Sequence, residues 1–343
     1  MPRRDPFGWI SGSCSALQEP SSAAKGLVEV PKRVSTAARD LQLLEPTWAL
    51  ARIGIARMVP YAGFLLLIAL SVAWAWQPLI TVIGRSLKSG EYEHYSHIVL
   101  LPFICAYLLY LNRDAILRHA KPGPRTGILL GLAGTATIWF AGTSVIGALG
   151  NRLSVAMLGL VTVWAGSFVI CYGVRGLWTA AFPFVLLIFM VPLPPAALAA
   201  IIWFLQRTSA DASALIFALI GMPFFRDGFV FALPGLTIQV AEECSGIRSS
   251  LALLISGLVM AYVLLRGTWT RAIFILVIVP LAIVKNAMRI VVLSWLAIHV
   301  DPSFITGSAV HRTSGIPVFL ASLTILGGLA GLLRRFEQKG AAA

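Results

Sequence analysis

The chain has 343 residues, of which 58% are hydrophobic and 12% charged, and its formal net charge at pH 7 is +13. Soluble globular domains carry about 25% charged residues, so this composition, with a mean hydropathy of +0.85, excludes a water-soluble fold. The basic residues lie between hydrophobic runs and do not cluster with aromatic residues. This pattern favours membrane topology over nucleic-acid binding.

The first 57 residues are polar and contain no apolar run long enough for a signal peptide. We predict that residues 1–57 form a cytoplasmic tail that is partly disordered or amphipathic. Within it, Thr36–Arg57 suits an interfacial amphipathic helix, and a simple polar leader is the alternative. Residues 58–336 are predicted to form one membrane domain, followed by a short cytoplasmic tail over residues 337–343.

Eight apolar runs meet or approach the length of about 20 residues that a helix needs to cross a bilayer. They are Pro60–Ile80, His97–Leu111, Gly127–Leu149, Leu153–Cys171, Leu177–Pro192, Ser249–Leu265, Ala272–Val292 and Gly315–Leu333. The predicted fold is therefore an all-α, polytopic membrane helix bundle of about eight transmembrane helices.

The apolar segment Pro194–Phe225 is a further candidate, but it contains Arg207 and Asp211. A charged residue at a helix centre costs roughly 2.5 to 3.5 kcal/mol on insertion scales. We therefore predict an interfacial or re-entrant segment there. With both termini inside, most Lys and Arg residues fall on the cytoplasmic side, and the outer segments are Gly84–Ser96, Pro194–Cys244 and Asp301–Ser314.

This topology brings three reactive side chains to the outer face, namely Cys244, Arg289 and His311. They supply a nucleophile, a group that stabilises an oxyanion and a general acid/base. Cys244 precedes a helical run whose N-terminal dipole favours the thiolate; Arg248 adds to that effect, and the neighbouring Glu242 and Glu243 oppose it. Simple packing of Cys244 and snorkelling of Arg289 are the alternatives.

The residues around these side chains carry a family resemblance. The string Val240-Ala241-Glu242-Glu243-Cys244-Ser245-Gly246-Ile247-Arg248-Ser249, followed by Asn286-Ala287-Met288-Arg289-Ile290 and then His311, resembles the core of the exosortase/archaeosortase family of membrane transpeptidases. Upstream, Tyr95-Ser96-His97, the run Met190-Val191-Pro192-Leu193-Pro194 and Asp227-Gly228 are also similar to family features. The resemblance extends over roughly Pro60 to Leu333.

The resemblance implies a cysteine transpeptidase of a bacterial inner membrane, with its active site at the periplasmic face. Its partners would be exported proteins with a C-terminal signal, made of a short motif such as Pro-Glu-Pro, a hydrophobic helix and a basic tail. Cys244 would form a thioester, His311 would shuttle the proton, and Arg289 would stabilise the oxyanion or position the carboxylic and amide groups. Arg248 and Asn286 are the candidate substrate-binding residues, and membrane lipid is a further partner. Neither a cofactor nor a metal is implied.

Several alternatives remain open on the sequence alone. His299 and Arg312 compete with His311 for a role at the outer face, and Ser245 is a weaker nucleophile than its neighbour. The non-enzymatic rival is a polytopic carrier or scaffold in envelope polysaccharide export, with Arg289 and Asp211 as pathway charges.

Four residues of the first outer loop resemble a metal cluster, namely Glu91, Glu93, His94 and His97, but a solvated loop with one packing histidine explains them better. The mechanism also predicts a groove beside the sixth and seventh spans.

Overall fold

The computed structural model describes residues 47–87, 97–143, 145–241, 245–301, 304 and 315–342. The chain divides after Arg57 into two units, and apart from the start of the helix that begins at Thr47, the features described below lie in the second, Met58–Ala343. Of the tail predicted over residues 1–57, residues 1–46 lie outside the described residues, as do the Glu91–Ser96 part of the first outer loop, Cys244 and His311.

The described structure is mostly helical, as the composition predicts. In chain order the helices are α1 (Thr47–Trp74), α2 (Trp76–Leu87), α3 (Leu101–Leu111), α4 (Arg113–His119), α5 (Pro124–Ala141), α6 (Leu149–Thr179), α7 (Ala181–Leu187), α8 (Pro195–Leu219), α9 (Ile247–Leu264), α10 (Thr268–His299) and α11 (Gly315–Ala342). A short 3-10 helix, Ile188–Met190, extends α7.

Four of these helices are long and apolar enough to cross a membrane, namely α6, α9, α10 and the Gly315–Gly340 part of α11. Two bent pairs raise the number to six if each pair is one span: the Val59–Trp74 part of α1 with Trp76–Ser86, bent by 79°, and Ala181–Met190 with α8, bent by 92°. The protein is therefore a multi-pass membrane protein, and the count of eight spans is not confirmed.

The helix ends meet in pairs that agree with an alternating path through the membrane. His97 and Phe189, both predicted at the outer side, are joined by a contact of 3.2 Å between His97 Nε2 and the Phe189 carbonyl. At the predicted inner side, the Lys121 N–H donates to the Tyr172 carbonyl over 3.1 Å. Gly173 beside it has φ 78°, and a Cβ there would lie 1.8 Å from the Lys121 carbonyl oxygen.

The closest helix pair, α5 with α6, packs through glycines. A Cβ on Gly134 would lie 2.7 Å from the Gly159 carbonyl oxygen, and a Cβ on Gly127 would lie 2.7 Å from that of Gly166. Small residues let two backbones approach closely, which is how membrane helices gain dispersion contacts where lipid offers no hydrophobic driving force between them. The third predicted span, Gly127–Leu149, ends earlier in the structure than the sequence predicts, because α5 ends at Ala141, before Gly142.

The last helix continues beyond the predicted membrane domain. α11 runs to Ala342, so the tail predicted over residues 337–343 begins inside a helix. There the Glu337 carboxylate accepts hydrogen bonds from the Arg266 and Gly267 N–H groups, the latter over 2.7 Å, and from the Thr270 hydroxyl. Glu337 therefore caps the N-terminus of α10, where unpaired N–H groups favour an anion.

A small antiparallel sheet is the one departure from the all-α prediction among the described residues. Its strands are β1 (Phe225–Asp227), β2 (Val230–Leu233) and β3 (Leu236–Gln239), in the order β1-β2-β3. Tight turns with positive φ at Gly228 and Gly235 connect them. The turn residues Asp227-Gly228 and Pro234-Gly235 signal this hairpin pattern in the sequence.

The sheet packs on α8 and α10 through a cluster of buried apolar side chains. The buried members are Ala210, Phe217, Phe231, Leu233, Ile238, Val240, Ile290 and Val291. The Arg226 guanidinium of β1 pairs with the Asp211 carboxylate of α8 over 2.8 Å. α8 is bent by 92° from the helical segment Ala181–Met190 that precedes it. If that segment crosses the membrane, α8 runs along the membrane plane, which agrees with the predicted interfacial segment.

The glycine contacts predict a clear asymmetry between two positions of α5. Gly134→Ala should lower the unfolding midpoint in detergent, by the equivalent of about 1–3 kcal/mol, because the added methyl group forces the two backbones apart. Gly131→Ala is the matched control, since a Cβ there meets nothing within 4 Å. Equal effects of the two substitutions on the midpoint would contradict the packing described here.

Candidate functional site

The segment that carries position 244 connects the end of β3 to the start of α9, and it is held at both ends. At its beginning, the Val240 N–H donates to the Phe229 carbonyl over 2.9 Å. The Val240 carbonyl accepts a 3.1 Å hydrogen bond from the buried Gln206 side chain of α8. The backbone of Val240 is therefore fixed by both the sheet and the helix beneath it.

The other end of the segment is a left-handed turn at Gly246. This residue has φ 70° and ψ 14° and immediately precedes α9. A Cβ there would lie 2.5 Å from Asn286 Oδ1, so both the backbone angle and the close contact require glycine. Asn286, 2% exposed on α10, is in turn anchored by a 3.0 Å hydrogen bond from its Nδ2 to the Ser209 hydroxyl of α8.

A buried lysine supports the same turn. Lys285 is 5% exposed, and its ammonium group donates to the Ser249 hydroxyl. Ser249 in turn donates to the Gly246 carbonyl over 3.1 Å. Because a buried ammonium group is costly without partners, a chain of two hydrogen bonds from Lys285 to the Gly246 carbonyl points to a specific local role.

One of the predicted catalytic residues, Arg289, can be placed relative to this turn. Cys244 directly precedes Ser245 in the sequence but lies outside the described residues. Arg289 is half-buried on α10, one turn beyond Lys285 and three residues beyond Asn286. Residues three and four apart share a helix face, so Arg289 lies on the face that contacts the turn. His311 lies outside the described residues.

The two predicted substrate-binding residues differ in their surroundings. Arg248 is exposed in the first turn of α9. Asn286 is buried, and its described contacts are with Ser209 and Gly246. The structure thus places Asn286 as support for the turn, and a direct contact with substrate remains a prediction for both residues.

The residues that compete for the catalytic or pathway roles make other contacts in the structure. Ser245 is 1% exposed, and its hydroxyl faces the Ile247 N–H at 3.4 Å. The exposed His299 ring stacks on Trp295 with a centroid distance of 4.7 Å, and its Nδ1 lies 2.9 Å from the Trp295 carbonyl oxygen. Asp211, a pathway charge under the carrier hypothesis, is paired with Arg226. None of these contacts favours a serine nucleophile or a carrier.

The described residues also bear on the question of a metal. No group of three or more His, Cys, Asp or Glu side chains comes together within the part of the chain that the structure describes. Of the cluster noted in the first outer loop, His97 contacts the Phe189 carbonyl, and Glu91, Glu93 and His94 lie outside the described residues.

A comparison with known families identifies the family of the chain. The family model described as transmembrane exosortase matches residues 89–328. The chain belongs to the transmembrane exosortase family. Searches of curated proteins and of solved structures gave no match. The matched region of this exosortase contains α3 to α10, the sheet and every residue of the candidate site.

Sequence reasoning missed the supporting polar residues of the exosortase site. Three polar residues lie at three- and four-residue intervals on α8, which places them on one face: Gln206, Ser209 and Ser213. All three are buried. Polar residues inside an apolar membrane helix are candidate functional residues. Their three- and four-residue spacing in the sequence could therefore have identified them. Lys285 carried the same signal, because it interrupts the apolar run of α10.

The electrostatics of the candidate site favour an anion at the start of α9. The cations Arg248, Lys285 and Arg289 lie in the first turn of α9 or on the α10 face that contacts it. The N-terminus of α9 adds the partial positive charge of its unpaired N–H groups. This combination suits a thiolate and, later, an oxyanion.

The contact between Gly246 and Asn286 predicts coupling between two substitutions. Gly246→Ala should destabilise the protein through about 1–2 kcal/mol of left-handed strain, with the clash against Asn286 in addition. Asn286→Ala removes the clashing atoms, so the double variant should be more stable than the two single effects predict, by about 0.5–3 kcal/mol. The measurement is the unfolding midpoint in detergent.

The control for this cycle is Gly228→Ala, at a glycine with φ 59° and nothing within 4 Å of its added Cβ. It should show the strain alone and no coupling to Asn286→Ala. Strict additivity for Gly246 and Asn286 would show that the turn does not rest on Asn286.

Proposed function

We propose that this exosortase is a cysteine transpeptidase that cleaves a C-terminal sorting signal from exported proteins through a thioester at Cys244. The observation that supports the proposal is the Gly246 turn at the start of α9, which is fixed against Asn286 on the cationic face of α10 and follows position 244 by two residues. Family membership supports the same reaction class, since exosortases act on exported proteins with C-terminal sorting signals.

The proposed reaction has two steps. The Cys244 thiolate attacks the scissile carbonyl carbon, and Arg289 stabilises the resulting oxyanion. The C–N bond breaks, His311 delivers a proton to the leaving amine, and an acyl-thioester remains on Cys244. An amine acceptor or water then attacks the thioester carbonyl, gives a proton to His311 and releases the thiolate.

The proposed location of the site is the periplasmic face of a bacterial inner membrane. Two observations support it: the basic loops concentrate on the opposite side under this topology, and the His97–Phe189 contact joins two segment ends that the topology puts outside. The signal's hydrophobic helix would remain in the lipid while the adjoining motif reaches the site.

Cleavage of a co-expressed reporter tests the proposal. The reporter carries a Pro-Glu-Pro-type C-terminal signal, and its processed form should appear in the periplasmic fraction with the wild-type enzyme. Cys244→Ala should abolish processing, and Arg289→Ala and His311→Ala should each reduce its rate by about 10²-fold or more, at matched enzyme levels.

Two matched controls separate the assigned residues from similar ones. His299→Ala and Arg118→Ala change an exposed histidine and an exposed arginine that contact backbone carbonyls away from the turn, and both should process the reporter at the wild-type rate. Processing that survives Cys244→Ala would reject the mechanism. Processing lost in His299→Ala and retained in His311→Ala would reassign the histidine.

A further inference from the structure

A groove of about 790 Å³ lies between the N-terminal half of α8 and the end of β3. Its α8 wall is formed by Pro195, Leu198, Ala199, Ile202, Trp203 and Gln206. The opposite wall contains Phe229 and residues Gln239, Val240 and Ala241. The groove therefore borders α8 and the sheet, whereas the sequence predicted a groove beside the sixth and seventh spans.

One wall of the groove includes Gln239, at the end of a strand with an open edge. β2 covers one edge of β3, and no strand among the described residues pairs with the other. The Val240 N–H donates to the Phe229 carbonyl, so this N–H and, two residues earlier in the same ladder, that of Ile238 point toward β2. In an antiparallel ladder the intervening residues point the opposite way. The backbone N–H and C=O of Thr237 and the N–H of Gln239 therefore face outward.

The open edge leads to the proposed nucleophile. Cys244 follows Ala241 by three residues, so their Cα atoms lie at most about 11 Å apart. An extended polypeptide advances about 3.3 Å per residue. A segment of only a few residues laid along β3 therefore spans the distance from the groove to position 244.

The rim of the groove carries a cation. Arg207 is exposed, and its guanidinium carbon lies 5.3 Å from the centroid of the Trp203 ring that lines the groove. The carboxylate one turn further along α8, that of Asp211, is engaged by Arg226. A guanidinium held over an aromatic ring at a groove rim complements an acidic side chain in the occupant.

We propose that this groove binds an extended segment of the substrate polypeptide by strand addition to β3. In this arrangement backbone hydrogen bonds to Thr237 and Gln239 set the register of the segment. The Trp203 face contacts the segment, and Arg207 binds an acidic side chain in it. The inference rests on the proposed function, because it gives the route by which a scissile bond reaches Cys244.

The test uses charge reversal with the same reporter. Arg207→Glu should lower the processing rate at limiting reporter by about tenfold, which corresponds to the loss of one charge-assisted contact. Replacing the acidic residue of the reporter's motif with Lys should restore processing by Arg207→Glu and impair it with the wild-type enzyme. Arg118→Glu, at an exposed arginine away from the groove, is the control and should not be rescued by the Lys reporter.

A second pair of variants tests the strand edge. Thr237→Pro removes the outward N–H, and Thr237→Val keeps it with a side chain of similar size. Thr237→Pro should raise the KM for the purified reporter by about tenfold with little change in kcat, and Thr237→Val should match the wild type. The unfolding midpoint shows whether Thr237→Pro folds. If it does not fold, the charge reversal at the exposed Arg207 still tests whether the groove binds the substrate segment.

The outcomes separate this inference from the proposed function. If Arg207→Glu shows no loss, or its loss is not rescued by the Lys reporter, while Cys244→Ala is inactive, the groove assignment is wrong and the cysteine mechanism stands. If Cys244→Ala processes the reporter, the proposed function itself fails. Reciprocal rescue between Arg207→Glu and the Lys reporter establishes the contact.

Discussion

The site depends on how the backbone is held on either side of position 244. Before it, the Gln206 side chain binds the Val240 carbonyl; after it, Gly246 packs on Asn286, which Ser209 anchors. Two of these anchors, Gln206 and Ser209, belong to α8. A helix that the sequence predicts to be interfacial therefore supports the site. Removing one partner of such a buried hydrogen bond costs about 1–3 kcal/mol, because the remaining group is left unsatisfied.

These polar contacts are costly features for an apolar protein, and their concentration at one place is informative. Buried Lys285 reaches the Gly246 carbonyl through Ser249, and Arg289 follows one turn later on the same helix. Membrane helices tolerate such residues where they pair with one another or with backbone carbonyls. The resulting positive field at the start of α9 provides what a thiolate nucleophile and an oxyanion both require.

The sequence predicted the membrane class and the family because these depend on strong local signals: long apolar runs and a dense motif from Val240 to Ser249. It predicted less of the geometry. The sheet is made of strands of three and four residues, too short for a clear alternating pattern beside apolar helices. The glycine contacts between α5 and α6, and the capping of α10 by Glu337, join residues far apart in the chain, so single-sequence reasoning had no signal for their pairing.

The same limit applies to the candidate site. The motif indicated Cys244, Arg289 and His311, whereas Gln206 and Ser209 lie in a segment that no motif marks. Their role depends on the bend of 92° before α8, which turns this helix under the sheet and against α10. The bend lies at Pro192, Pro194 and Pro195, and these prolines indicate a break in the helix without its direction.

The proposed mechanism requires that Cys244 becomes acylated during turnover. Acylation can be measured by mass spectrometry of the enzyme isolated from cells that express the reporter, after rapid acid quenching and proteolysis. We expect a mass increase, equal to that of the reporter's upstream fragment, on the peptide containing Cys244, and its release by neutral hydroxylamine, which cleaves thioesters. An adduct on Ser245, or processing of the reporter by an enzyme that never carries an adduct at Cys244, would contradict it.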